Sequence, residues 1–136
     1  MRELLEDRPE WYDFDDDEHT GMTLLDYEEQ AMDMALYDGF LIYPAIGLAG
    51  EAGEVANKVG KMLRDNEIPP DGGEPVFDMD FEQRHSLAKE LGDVLWMLTA
   101  VSNDLGFDLE EIATMNLEKL RSRQRRGRLR GSGDNR

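Results

Sequence analysis

The chain contains no cysteine. That excludes disulfides, thiolate nucleophiles and zinc–thiolate centres. Histidine is nearly absent too, with only His19 and His85. A carboxylate-bridged di-iron bundle needs two E-x-x-H motifs. Glu82-Gln-Arg-His85 supplies one, and His19, three residues after Asp16, makes a poor second. No run approaches the ~20 apolar residues of a membrane span, and Met1-Arg-Glu-Leu-Leu-Glu-Asp-Arg8 has no apolar signal-peptide core. A soluble protein of the cytoplasm is expected (the host's, for a viral chain), with no membrane partner.

Basic residues are scarce over most of the chain. Residues 1–120 hold 30 of the 31 acidic residues and 8 of the 15 basic ones, a charge of −22 that residues 121–136, with seven arginines and one aspartate, bring to −16. So acidic a body repels a phosphate backbone, and nucleic acid is not an expected partner. An anionic substrate would need bound cations to cancel the local field.

What is present reads as one helical domain of 136 residues. Residues 1–22 form an acidic lead centred on Asp13-Phe14-Asp15-Asp16-Asp17-Glu18. Thr23 suits the N-cap of a first helix over about 23–37, which Asp38-Gly39 breaks. Pro44 suits the first turn of a second helix over about 44–64. Pro69-Pro70-Asp71-Gly72-Gly73-Glu74-Pro75 makes 65–78 a loop. A third helix is expected over about 79–105, with Leu87, Leu91, Val94, Leu98, Val101 and Leu105 as its apolar seam and Gly106 as its stop. Asp108 and Glu111 form a capping box for a fourth helix over about 108–123. A basic tail follows over 126–136. With no convincing strand, the fold expected is all-α, a four-helix bundle-like protomer.

Two carboxylate pairs share one spacing, Glu51-Ala-Gly-Glu54 on the second helix and Glu90-Leu-Gly-Asp93 on the third. At i, i+3 both members of a pair project from one helix face. On a helical wheel Glu51 and Glu90 border the apolar stripes, while Glu54 and Asp93 lie about 60° further toward solvent. If the stripes pack together, four acids converge on one rim, an all-oxygen site of the kind Mg²⁺ accepts. Gly53 and Gly92 are expected to permit close approach of the helices. Lys58 either pairs with Glu54 one turn before it or, with Lys61, reaches a polyphosphate. Asn116, Lys119 and Arg123 share a face of the fourth helix, as a solvated row or as a grip on phosphate oxygens.

These residues resemble the MazG-like nucleoside triphosphate pyrophosphohydrolases of the all-α NTP pyrophosphatase superfamily. The resemblance runs over roughly 23–125. It is carried by Gly47-Leu-Ala-Gly-Glu51-Ala-Gly-Glu54-Val-Ala-Asn-Lys58-Val-Gly-Lys61, then Lys89-Glu90-Leu-Gly-Asp93-Val-Leu-Trp96, then Asn116-Leu-Glu-Lys119-Leu-Arg-Ser-Arg123. The gap between Glu54 and Glu90 is longer than the family usually shows. The resemblance implies hydrolysis of a (deoxy)nucleoside triphosphate to monophosphate and pyrophosphate, with dGTP or GTP favoured. It implies Mg²⁺, or Mn²⁺, held by Glu51, Glu54, Glu90 and Asp93, with Glu90 as ligand or as general base. Lys58, Lys61, Asn116, Lys119 and Arg123 are then the substrate-binding candidates. It further implies a pocket lined by Gln30 and a homo-oligomer, a dimer or a tetramer. The competing expectation is a non-enzymatic acidic helical interaction protein.

Overall fold

The computed structural model describes residues 21–65, 67–68 and 79–127. The acidic lead up to residue 20, most of the Pro/Gly loop and the tail beyond Gly127 lie outside the described residues. Four helices form: α1 Leu24–Asp33, α2 Ile42–Arg64, α3 Phe81–Leu105 and α4 Leu109–Arg125. Among the described residues there is no strand, and the chain is all-α.

Three of the helix starts are written locally. Thr23, Asp80 and Asp108 each accept a hydrogen bond from the backbone N–H three residues on. The side chains of Asp26, Gln83 and Glu111 each accept one in turn from the cap residue's own N–H. These reciprocal boxes satisfy donors that a helix start leaves open, at about 1 kcal/mol for the cap alone. Gly106 closes α3 in the left-handed region (φ 76°), as its place after the apolar seam implies.

α2 begins differently. It starts two residues before Pro44, which is buried in the first turn, where its missing N–H is no loss. Its cap, Leu41, has no side-chain acceptor and a φ of 60°, and it is the one non-glycine with positive φ among the described residues. That backbone costs on the order of 1–3 kcal/mol. Asp104 on α3 holds it: Oδ2 accepts from the Leu41 N–H at 2.6 Å, and Oδ1 accepts from the Tyr37 hydroxyl at 3.0 Å. The same contact corrects the expected end of α1, which stops at Asp33 rather than about residue 37. Tyr37 stacks on Tyr43 and meets Trp96 edge-on, at 5.4 and 6.1 Å between ring centres, so tertiary contacts draw 34–41 out of the helix.

α2 packs along α3, and α1 lies against α3 and α4. The buried apolar residues are Ala31, Met62, Met79, Ala100 and Leu109. The expected α3 seam is only partly internal, since Leu91 and Leu105 are 55% and 51% exposed. The deepest α3 positions are instead Thr99, Ala100 and Ser102. Small side chains fit there, and their hydroxyls donate to the Leu95 and Phe107 carbonyls at 2.8 and 2.7 Å, so burial leaves no orphan. The close approach of α2 to α3 is at Gly47, where an added Cβ would sit 2.5 Å from Met97 Sδ. Around Gly53 and Gly92 nothing lies within 4 Å of such a Cβ, so neither is needed for this packing.

Candidate functional site

The α2–α3 contact brings three of the four motif acids together. Carboxylate oxygens of Glu51, Glu90 and Asp93 lie within 4.8 Å of one another. Glu51 and Glu90 are half-buried and Asp93 is exposed, the order the wheel gives. Opposite ligands of an octahedral Mg²⁺ stand roughly 4.2 Å apart, twice a bond of ~2.1 Å. A small rotamer adjustment therefore suffices to close three hard oxygen donors on such an ion. Glu54 is outside this trio. It is exposed one turn along α2, and the Asn57 amide reaches its carboxylate at 3.5 Å.

Three carboxylates this close repel one another unless countered. Lys58 counters them from α2. Its Nζ sits 2.7 Å from Glu90 Oε1 and donates to the Ser86 hydroxyl at 2.7 Å and the Ser86 carbonyl at 3.1 Å. An ammonium has three N–H bonds, and these contacts occupy all three. Lys58 therefore reaches across to α3 rather than pairing with Glu54 on its own helix.

Asp93 also forms a wall of a cavity of about 330 Å³ between α1 and α3, with Tyr27, Gln30, Met34, Gly92 and Trp96. The Trp96 indole N–H donates to the Ala31 carbonyl at 3.2 Å, which fixes the ring plane. The Gln30 amide is held by the Asp26 carbonyl at 3.0 Å. Burial, and then the negative charge of Asp93, raise the Tyr27 pKa above its ordinary value, so the phenol keeps its proton beside the acids. A larger cavity of about 410 Å³, where α1 meets the start of α4, includes none of the trio. Volume alone does not mark the site.

The remaining candidates are more scattered. Lys61 is exposed on α2, and Asn116 and Lys119 are exposed on α4. Arg123, expected in the same row, is only 7% exposed. Sequence reasoning assigned no role to Tyr27 or Trp96. The signal for them was present: Trp96 follows Asp93 by three residues, and Tyr27 precedes Gln30 by three, so each shares a helix face with a site candidate.

Comparison with known proteins identifies the family. Residues 45–127 match the family model described as the MazG nucleotide pyrophosphohydrolase domain. The Gene 37 protein of Mycobacterium phage L5 is 44% identical over 118 residues, covering 81% of this chain and 96% of that protein. No solved structure gives a significant match. The matched span takes in both acidic pairs and more than half of the chain, which therefore belongs to the MazG nucleotide pyrophosphohydrolase family.

Proposed function

We propose that the chain hydrolyses a (deoxy)nucleoside triphosphate at the α–β phosphoanhydride, giving the monophosphate and pyrophosphate. The observation that carries this is the double position of Asp93, a member of the carboxylate trio and a wall of the aromatic cavity. A nucleoside in that cavity, against Trp96 and Tyr27, has its phosphates at the acids. Gln30 lines the same cavity and would read the base edge, and guanine is the base we propose.

Glu51, Glu90 and Asp93, with Glu54 at the rim, are the residues that would hold one or more Mg²⁺ or Mn²⁺ ions. Such an ion, when bound, neutralises phosphate oxygens and lowers the pKa of a coordinated water. The chain's own part is to orient and to move the proton. Glu90 acts either as a ligand or as the general base, because Lys58 fixes one of its oxygens and leaves the other for an ion or for the attacking water. Lys61, Asn116 and Lys119 offer exposed donors for the leaving pyrophosphate. A contact from Arg123 requires its nearly covered side chain to emerge. No described helix is long and apolar enough to cross a membrane. The substrate and further copies of the chain are the partners we propose, in the cytoplasm of a host cell.

The test is pyrophosphate release across the eight common NTPs and dNTPs, with Mg²⁺ and with a chelator. Turnover of at least one nucleotide, abolished by the chelator, is the expected result. Absence of pyrophosphate from all eight would overturn the reading in favour of an acidic interaction protein.

A further inference from the structure

The proposed chemistry makes no use of the strained backbone at Leu41. In the segment that joins α1 to α2, Tyr37 is the one side chain from Leu36 to Phe40 that is not exposed. Leu36 and Phe40 stay 97% and 68% exposed, so burial of apolar surface does not set the path of this segment. One half-buried carboxylate does. Asp104 accepts from the Tyr37 hydroxyl with one oxygen and from the Leu41 N–H with the other. Strain of this kind persists only where the surroundings over-determine it, and it gathers where a structure needs one particular placement.

The side chain so placed is Tyr37. Its ring lies nearly parallel to that of Tyr43, at 21°, and nearly perpendicular to the Trp96 indole, at 81°. Trp96 is thus held from two sides, by its hydrogen bond to the Ala31 carbonyl of α1 and by the Tyr37 ring of the linker. Ala31, Asp93 and Trp96 line the 330 Å³ cavity, and Tyr37 and Asp104 are not among the described residues that do. Tyr37 therefore stands behind the indole wall, and Asp104 behind Tyr37. Along α3, Asp104 is about 16 Å from Asp93, too far to touch an ion or a phosphate at the trio.

We infer that Tyr37 and Asp104 are positioning residues for the nucleobase: they hold the Trp96 indole in the orientation that offers the cavity a flat stacking face, and the turn at Leu41 is strained by that placement. The inference rests on the reading of this cavity as the nucleoside pocket and deepens it. An aromatic wall contributes to binding through its face. A ring that is free to turn must first be ordered by the ligand, which weakens binding. The carboxylate trio is untouched by either residue. Their effect therefore falls on substrate affinity and not on the chemical step, which separates KM from kcat.

The chain has two tryptophans, so Trp11→Phe leaves Trp96 as the sole indole reporter. In that background Tyr37→Leu, with helical circular dichroism retained, should lower the fluorescence anisotropy of Trp96 and ease its quenching by acrylamide. Asp104→Ala should do the same. With the nucleotide that releases pyrophosphate fastest, each substitution should raise KM roughly 3–10-fold and leave kcat within about two-fold, as expected when one aromatic side chain must be ordered on binding. Once Trp96→Leu has removed the wall, Tyr37→Leu should raise KM no further, because it acts only through the indole. Should Tyr37→Leu fail to fold, Tyr37→Phe keeps the ring, loses only the anchor to Asp104, and should shift anisotropy and KM the same way by less. Unchanged Trp96 fluorescence in the folded Tyr37 variant would overturn the proposal, and so would additive effects of the Tyr37 and Trp96 substitutions on KM. No turnover of any nucleotide would sink the catalytic reading, and the Trp96 signal would still decide whether Tyr37 holds the indole.

Discussion

Lys58 sets the electrostatics of the site, and its role was the least legible in sequence. The acidic pairs could be read directly, because i, i+3 spacing and the edge of an apolar stripe are properties of one helix. The partner of Lys58 depends on the register of α2 against α3, which no local pattern encodes. In the structure its ammonium lies against Glu90, with the two side chains 29% and 19% exposed. Lys58→Met should therefore lower stability without metal by about 1–3 kcal/mol, since it strips a hydrogen-bonded charge from a partly buried acid. It also removes a cation that competes for Glu90, so the rise in Tm on adding Mg²⁺ should exceed that of the wild type. Equal Mg²⁺-induced shifts in the two proteins would mean that the lysine and the ion do not share the site. Asp93→Asn tests the trio itself. Its loss of turnover should exceed the ~10–100-fold typical of an outer-sphere partner. Its melting temperature without metal should stay level or rise, because one repulsive charge is gone. Near-normal turnover at saturating Mg²⁺ would remove Asp93 from the site.

Helix starts were legible wherever a capping side chain announced them, as at Thr23 and Asp108. The end of α1 was not, because the linker after it is held by Asp104, about 65 residues further along the chain. Asp104→Ala should cost about 1–3 kcal/mol in urea denaturation, leaving the Leu41 N–H and the Tyr37 hydroxyl unanswered. A loss below about 0.5 kcal/mol, within the range of ordinary surface substitutions, would show the linker to be held by other contacts. The pair also has a pH signature. Burial first, then the hydrogen bond to Asp104 and its charge, raise the Tyr37 pKa above its ordinary value. The folded state thus favours the protonated phenol. Its contribution is complete below the ordinary value of about 10 and fades as pH rises through that value toward the higher folded one. The stability gap between wild type and Tyr37→Phe should be flat from neutral pH to about 9 and narrow above about 10. A gap that widens in alkali would reverse the assignment.

At the scale of the whole molecule, the all-α class and the pairing of the two acidic motifs were legible, because apolar periodicity and motif spacing survive any detail of packing. The surroundings of Gly53 were not. Gly53 looked like an aid to the α2–α3 contact, and only the open space around it shows that the contact does not need it. The net charge of −16 bears on the site. In the function we propose, it leaves an anionic substrate dependent on cations at the trio. The central claim is the bond that breaks, and reaction in ¹⁸O-labelled water followed by mass spectrometry of the products reads it most directly. Attack at the α-phosphorus predicts label in the nucleoside monophosphate, with unlabelled pyrophosphate in equal amount and no orthophosphate. Label in the pyrophosphate, or a nucleoside diphosphate as product, would contradict the account.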